Sequence, residues 1–368
     1  MGKLININPG SSNTGFRINP SVAAGLSLSG KIPYPKYYDI SSDDIWSYTS
    51  WTYEGPARVS VIQDEALFND YAASGQFVSL NVADGSENWA NNLGSSGYEQ
   101  FLTADASLDN YYWGDGYGAG YFGKNDASTL VPVWKKTAAA DIIDIRLDKT
   151  KTYMYSIEGF GSSSFPVLKH TTIDGSLLWS TPQGTGNTGM DIDLDEDYVV
   201  IGGGYNITKV LSDGSINWQY DFPGYTTGVI TYSPSIDYNN NVYCIMININ
   251  VASRPSYLVK LNENGIQQWL VEVATEDASG NYGIRKYSHI AEDGNIWVIG
   301  QEAAAVNTAP FVGYMYKYRA LDGILMERYQ ISTSSSARPD NFDMVSGTNQ
   351  AVVIFSGIDS AKKFNLEG

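Results

Sequence analysis

Apolar and aromatic residues alternate with polar ones in short runs along most of the chain, and polar turn residues separate the runs. A run, a turn containing Asn, Asp or Gly, and a second run occur together at 106–114, 144–156, 191–203, 235–247 and 289–300. Alternation with a period of two on both sides of such a turn predicts β-hairpins. No amphipathic helical pattern of useful length occurs, so the sequence predicts an all-β protein.

A six-residue unit recurs between the hairpins, as DGSENW, DGSLLW, DGSINW and the weaker NGIQQW. Asp-Gly is expected in the turn between a third and a fourth strand, where glycine takes positive φ at least cost. The Trp would start the fourth strand and cover the join to the next repeat, with its indole N–H free to meet a backbone partner. Residues assigned to this structural motif are Asp84, Gly85, Trp89, Asp174, Gly175, Trp179, Asp213, Gly214, Trp218, Asn264, Gly265 and Trp269, with degenerate copies at Trp134 and at Asp322 and Gly323.

Each repeat therefore consists of a hairpin of two strands, a loop, a third strand, the Asp-Gly turn and a fourth strand. Four antiparallel strands in roughly 40 to 50 residues are typical of a propeller blade. Counting the turns predicts a seven-bladed β-propeller in which the last blade lacks its outer strand. Residues 44–52, with Trp46 and Trp51, are predicted to supply that strand and close the ring, so that 44–368 forms the propeller and 1–43 an extended arm.

The spacing of Gly and Trp resembles the docking motif of PQQ-like-repeat (quinoprotein-type) propellers, whose repeats end in Thr-Gly-x-x-x-Trp. The match is carried by Gly85 with Trp89, Gly175 with Trp179 and Gly214 with Trp218, and the resemblance covers roughly residues 58–368. Asp stands where that family has Thr. The Asp usually found four residues before Gly is also replaced, by Asn81, Thr171, Val210, Leu261 and Arg319. The quinone-dependent enzymes of this family place an adjacent pair of cysteines at the cofactor, and this chain has one Cys.

Composition narrows the classes of partner. The formal net charge of −17 repels phosphate backbones and anionic lipid, which disfavours nucleic-acid and membrane-surface partners. No apolar run approaches the ~18 residues of a membrane span, and the N-terminus has no recognisable secretory signal. Cys244 lies in an apolar run and is expected to be a buried strand residue.

Few residue patterns point to chemistry. Asp191, Asp193 and Asp195 have the spacing of the start of a calcium loop, but Glu196 stands where such a loop needs Gly, and a solvated turn is the favoured interpretation. GAGYFG at 118–123 matches a dinucleotide fingerprint without the helix that must follow it. His170 and His289 lie in no catalytic or metal-binding spacing. The sequence therefore predicts no enzyme activity, no metal and no cofactor.

Three functions stay open. The favoured one is a structural or binding propeller of a tailed-bacteriophage virion, because the chain is all-β, acidic, rich in Tyr, Asn, Ser and Gly, and has an N-terminal arm for attachment. Its partners would be other structural proteins, a second copy, or a host-surface protein or glycan. The alternatives are a glycan-binding or glycan-cleaving propeller, and a cellular adaptor, which would be cytoplasmic if not exported, resembling the outer-membrane assembly lipoprotein with the same repeat type.

Overall fold

A computed structural model of the chain describes residues 35–49, 59–62, 64–70, 76–91, 101–104, 109–114, 120–140, 142–158, 166–181, 187–192, 198–204, 206–223, 229–248, 255–275, 284–290, 294–305, 308–333, 337–356 and 360–366. All regular structure in these ranges is β-strand, in seven sheets that form the blades of a seven-bladed β-propeller. The all-β prediction and the count of seven blades are confirmed.

The first four blades each consist of four consecutive antiparallel strands. Blade 1 contains β3 (Val59–Ile62), β4 (Glu65–Asp70), β5 (Gln76–Asn81) and β6 (Glu87–Asn91). Blade 2 contains β7 (Phe101–Ala104), β8 (Asn110–Gly114), β9 (Tyr121–Asp126) and β10 (Pro132–Thr137). Blade 3 contains β11 (Ile142–Leu147), β12 (Tyr153–Glu158), β13 (Val167–Thr171) and β14 (Leu177–Thr181). Blade 4 contains β15 (Asn187–Ile192), β16 (Tyr198–Gly203), β17 (Asn206–Leu211) and β18 (Ile216–Asp221).

The remaining three blades include the two strands that come from the N-terminal part of the chain. Blade 5 contains β19 (Val229–Ile236), β20 (Val242–Asn248), β21 (Pro255–Leu261) and β22 (Gln267–Thr275). Blade 6 contains β23 (Ile284–Ile290), β24 (Ile296–Ala305), β25 (Thr308–Tyr318), β26 (Leu325–Ser332) and a fifth strand, β1 (Lys36–Asp39). Blade 7 contains β27 (Arg338–Val345), β28 (Gln350–Ser356), β29 (Ser360–Asn365) and β2 (Asp44–Tyr48).

The apolar core lies between the blades. Each of seven clusters of buried side chains among the described residues is drawn from two neighbouring blades. Second strands contact both neighbours, so β16 and β20 are buried along their whole length, whereas outer strands such as β10 are largely exposed. Cys244 lies in β20 and is completely buried, as predicted.

The ring is closed by the N-terminal strand. β2 pairs with β29 in antiparallel register, from Asp44 opposite Phe364 to Tyr48 opposite Ala361. Trp46 is buried in one cluster with Phe68 of blade 1 and Ile354 of blade 7. Trp51, the second residue predicted for this strand, lies outside the described residues.

The folded part of the chain begins before the predicted boundary at residue 44. β1 pairs in parallel with β26, and Tyr38 stacks on Tyr329 with ring centroids 4.8 Å apart. Ile40 is buried in the cluster between blades 6 and 7. Residues 36–43 therefore belong to the propeller instead of the predicted arm.

The closure leads to a test by truncation. Relative to a chain that begins at residue 41 and already lacks β1, a chain that begins at residue 50 also loses the β2–β29 hydrogen bonds and the burial of Trp46. We expect the free energy of unfolding to fall by about 3 to 5 kcal/mol, the usual cost of removing one large core side chain. For a domain of this size, that corresponds to a fall in Tm of roughly 4 to 7 °C.

Differential scanning calorimetry of the two chains measures the effect. Equal Tm values would show that the strand does not close the ring.

Candidate functional site

The Asp-Gly turns of one blade meet the tryptophans of the blade before. Gly85, Gly175, Gly214, Gly265 and Gly323 all have φ between 69° and 89°, in the left-handed region that glycine occupies without strain. The Trp of the preceding blade lies against all five. A Cβ at Gly85 would be 2.7 Å from the Trp46 ring, one at Gly265 would be 2.7 Å from Trp218, and one at each of the other three would be 3.0 Å from the Trp ring. Backbone angle and Trp contact therefore both require glycine.

Each of these tryptophans also donates its indole N–H to a backbone carbonyl in the next blade. The acceptor stands two or three residues before the turn glycine or its equivalent. The pairs are Trp46 with Val82 (2.8 Å), Trp134 with Thr172 (3.2 Å), Trp179 with Ser212 (2.9 Å), Trp218 with Glu263 (2.9 Å) and Trp269 with Ala320 (3.2 Å). The motif thus links neighbouring blades, with glycine and Trp in each contact coming from different repeats.

The Asp and Ser of the repeated unit stabilise the turn itself. Asp84 accepts hydrogen bonds from the backbone N–H and the hydroxyl of Ser86, at 3.0 and 2.7 Å. Asp213 does the same with Ser215. Asp174 accepts from Ser176 and Thr171, and these bonds lower the pKa of its exposed carboxyl to about 2. These carboxylates have a local structural role.

A lysine that the sequence pattern does not reveal completes the contact between blades. In five blades, the residue paired across the strand from the Trp is a Lys whose ammonium group donates to the same carbonyl. The pairs are Lys363 with Val82 (2.9 Å), Lys260 with Ala320 (3.0 Å), Lys124 with Thr172 (3.4 Å), Lys169 with Ser212 (3.4 Å) and Lys209 with Glu263 (3.5 Å). In four of the five the ammonium group also lies over a Tyr ring of its own blade. We call the Trp, the Lys and their shared carbonyl the interblade clamp.

The contact between blades 1 and 2 has no clamp. Ser79 stands opposite Trp89 where the other blades have Lys. The Trp89 ring lies 5.1 Å from the Tyr111 ring of blade 2, and the Glu65 carboxylate accepts from both Ser79 and Tyr111. Burial, with the nearby Glu65 charge, raises the pKa of Tyr111 to about 12. A polar group shared by Ser and Tyr therefore replaces the carbonyl contact.

The contact between blades 6 and 7 uses a tyrosine. Glu327 occupies the Trp position and forms an ion pair with Lys317 at 3.9 Å. Two residues further along β26, the Tyr329 hydroxyl donates to the Leu366 carbonyl at 2.7 Å and lies 2.8 Å from the Glu327 carboxylate. Leu366 directly follows the third strand of blade 7, β29, as Val82 follows the third strand of blade 1, β5. The acceptor carbonyl therefore has the equivalent position, and Tyr replaces Trp as the donor.

The residues considered for metal or cofactor binding do not form a site among the described residues. Asp191 lies in β15, and Asp193 and Asp195 lie outside the described part of the chain. In GAGYFG, a Cβ at Gly123 would come 2.6 Å from the Trp113 ring, and one at Gly120 2.1 Å from the Ala140 carbonyl oxygen. Strand and turn follow this stretch instead of a helix. Within the described ranges no group of three or more His, Cys, Asp or Glu is placed to hold a metal ion.

The two histidines lie in strands of different blades. His170 is 2% exposed, its Nε2 lies 3.1 Å from the Ser156 hydroxyl, and its ring packs on Phe122 of blade 2. Burial lowers the pKa of His170 to about 4, so the ring is neutral at physiological pH. His289 lies in β23.

One end of the ring carries exposed apolar residues on its turns. The turns joining third to fourth strands lie beside those joining first to second strands, with backbone hydrogen bonds from Val82 to Asp64 and from Thr172 to Thr152. We call this end the turn face. Its turns expose Ile173 (81%), Leu321 (78%), Tyr238 (66%), Ile266 (60%) and Val131 (59%).

The same turns carry acidic groups. Asp64, Asp84, Asp109, Asp174, Asp213 and Glu263 are all exposed there. Five of the seven blades thus contribute at least one exposed carboxylate to the turn face. Exposed aliphatic side chains next to carboxylates suit an extended polypeptide with basic and aliphatic residues more than a small polar substrate.

Comparison with known proteins supports the fold. The β-propeller domain of Cps50 (Swd1) from Myceliophteria thermophila is similar with a TM-score of 0.62 and 9% identity, over 88% of this chain and 100% of that one. BamB from Moraxella catarrhalis is similar with a TM-score of 0.55 and 11% identity, over 88% and 99% of the two chains. No protein-family model and no curated protein matches the sequence. Among the described residues, no helix has the length and apolar character to cross a membrane.

The clamp at Val82 is the most buried and can be tested by a double-mutant cycle. Trp46→Phe and Lys363→Met each remove one donor, at about 1 kcal/mol for the hydrogen bond alone. Either variant leaves the carbonyl with one partner. The double variant leaves it with none, so its loss in free energy of unfolding is expected to exceed the sum of the single losses by about 1 kcal/mol or more.

Urea denaturation of the four chains measures this coupling. Trp46→Phe combined with Lys362→Met is the matched control, because Lys362 pairs with Asp44 at 3.5 Å. The control pair is expected to be additive. Additivity in the Lys363 cycle as well would mean that the two donors do not act on one group.

Because His170 is buried, we expect the free energy of unfolding to depend on pH. Its pKa is about 4 in the folded protein and about 6.5 when unfolded, so above pH 6.5 both states are neutral. As the pH falls below 6.5, the unfolded state takes up the proton first, and the folded state loses about 2 kcal/mol by pH 4.5. His170→Gln should lose that much less between pH 7 and 4.5, measured by urea denaturation at each pH. Parallel profiles for the two chains would contradict this.

Proposed function

We propose that this chain is a non-enzymatic binding propeller of the PQQ-like-repeat type. The protein would be part of a bacteriophage virion. Its N-terminal segment would attach it to the particle, and its turn face would contact another virion protein or the host surface. The repeated glycine and Trp contacts support the repeat type. The propeller fold is consistent with a binding or scaffold role.

The exposure of Ile173 and Leu321 carries this proposal. Each is about four-fifths exposed on a turn that is held by the clamp of the preceding blade. Exposing large aliphatic side chains to water costs free energy, and a partner that covers them lowers the free energy of the complex. Several such residues at one end of a ring mark an interface with a protein.

We also propose that the protein has no enzyme activity. Cys244 is fully buried and His170 nearly so, which removes two candidate catalytic side chains from contact with a substrate. The exposed Asp residues of the turns are engaged by Ser and Thr hydroxyls in their own turns. These contacts favour a role in binding.

Glycan binding is the second candidate, because Tyr238 is two-thirds exposed on the turn face and aromatic rings stack on sugars. A glycan array probed with the wild-type chain and with Tyr238→Ala tests it. Selective binding that the variant loses would favour this candidate over a protein partner.

The virion proposal predicts that the chain co-purifies with particles at a fixed copy number, and that incorporation needs the N-terminal segment. The truncated chain should begin at residue 35, because removal of residues 36–43 would also remove β1 from blade 6. Quantitative mass spectrometry of nuclease-treated, gradient-purified particles measures incorporation of the full and truncated chains.

Full-chain incorporation with loss of the truncated chain is the expected result. If the truncated chain enters particles equally well, the segment is not the attachment device. If neither chain is found in particles, the virion proposal is wrong.

A further inference from the structure

The N-terminal segment and the propeller have opposite charge. Residues 1–34 contain Lys3, Arg17 and Lys31 and no acidic residue, which gives the segment a net charge of +3. The other 20 basic and 40 acidic residues give residues 35–368 a net charge of −20. A segment of 34 residues without a single Asp or Glu is unusual in a chain with 40 of them, and it is attracted to the acidic propeller at low ionic strength.

The basic residues of the segment stand beside aliphatic ones at regular intervals. Lys3 precedes Leu4 and Ile5, Arg17 precedes Ile18, and Lys31 precedes Ile32, so that the basic positions are 14 residues apart. The turn face repeats the complementary pair. Ile173 adjoins Asp174, and Ile266 follows Glu263 by three residues. A basic–aliphatic pair can place its charge on the carboxylate and its apolar group on the exposed Ile.

The position of β1 places the end of the N-terminal segment near the turn face. Lys36, the first residue of β1, pairs with Glu327, two residues after the start of β26. β26 starts directly after the Asp322–Gly323 turn, next to the exposed Leu321. The segment therefore joins the propeller at the rim of the turn face. Thirty-four residues reach up to about 110 Å when extended, which is enough to cross a domain of this size.

We propose that residues 1–34 bind the turn face of their own chain. The short connection gives the segment a millimolar effective concentration at that face, which favours its own propeller over that of a second copy. The segment covers the exposed aliphatic residues in the isolated protein. This inference concerns the isolated chain and does not depend on where the protein is used.

The first test adds a fluorescent peptide of residues 1–34 to the purified chain of residues 35–368. Anisotropy should show saturable binding that weakens by roughly tenfold or more between 50 and 500 mM salt, because charge pairs at an exposed surface are screened. A peptide with Lys3→Gln, Arg17→Gln and Lys31→Gln should bind at least about tenfold more weakly. Absence of binding by the native peptide would overturn the proposal.

The second test locates the surface. Ile173→Ser combined with Leu321→Ser removes two exposed aliphatic side chains, so the fold is retained and binding should weaken roughly fivefold or more. Leu178→Ser is the matched control, since Leu178 is half exposed but lies on the outer strand β14. Circular dichroism checks the fold of each variant. Equal loss in the control would place the peptide elsewhere.

The third test decides between the chain's own segment and that of a second copy. The full chain should sediment as a monomer and bind added peptide at least about tenfold more weakly than the truncated chain, because its own segment competes. Equal binding by both chains would show that the face is open and would overturn the proposal. Oligomers that form only when residues 1–34 are present would also overturn it, in favour of a second copy as the occupant.

Discussion

The propeller depends on one backbone carbonyl at the turn between the third and fourth strands, which in five of the seven blades is held by two donors from the blade before it. The Trp indole and the Lys ammonium group approach this oxygen from adjacent strands, at 2.8 and 2.9 Å in the tightest case. A buried carbonyl without a partner costs free energy, and an ammonium group in the same place would cost more. Each group removes the cost of the other. The indole ring adds a large apolar contact with the turn glycine, so polar and apolar terms act at one point.

A ring imposes a condition that an open sheet does not, because all neighbouring blades must match at once. Here five junctions use the clamp, and two use a different solution with the same physical effect. Between blades 6 and 7 the donor is Tyr329, and β1 stacks Tyr38 on that same tyrosine. The extra parallel strand therefore lies at the junction where Trp is missing and supports the residue that replaces it. Between blades 1 and 2 a carboxylate shared by Ser and Tyr does the work of the carbonyl.

Features carried by residues close together in the sequence were predictable. Features that depend on which strands pair were not. Asp, Gly, Ser and Trp stand within six residues, so their repetition is visible as text, and the blades, their number and the closing strand were predictable from it. In four of the five clamps Lys stands nine or ten residues before its Trp, and Lys363 lies at the other end of the chain from Trp46, so the two become neighbours only through strand register. Tyr329 is displaced by two residues from the expected position, which preserves the side of the strand but breaks the text match. β1 adds in parallel to a strand almost 290 residues away, and nothing local in its four residues specifies that partner.

The turn face separates the residues that the fold needs from those that it does not. In the unit around Asp174 and Gly175, the carboxylate holds the turn, the glycine accepts the Trp, and the Thr172 carbonyl receives the clamp. Ile173, between them, has none of these tasks and is exposed. Leu321 stands at the same position before the Asp of its turn in blade 6, and Ile266 follows the turn glycine of blade 5 with its side chain 60% exposed. A polar residue at these positions would avoid the cost of exposing aliphatic surface to water, and the clamp would be unchanged. The contacts that hold the propeller together therefore do not account for their apolar character.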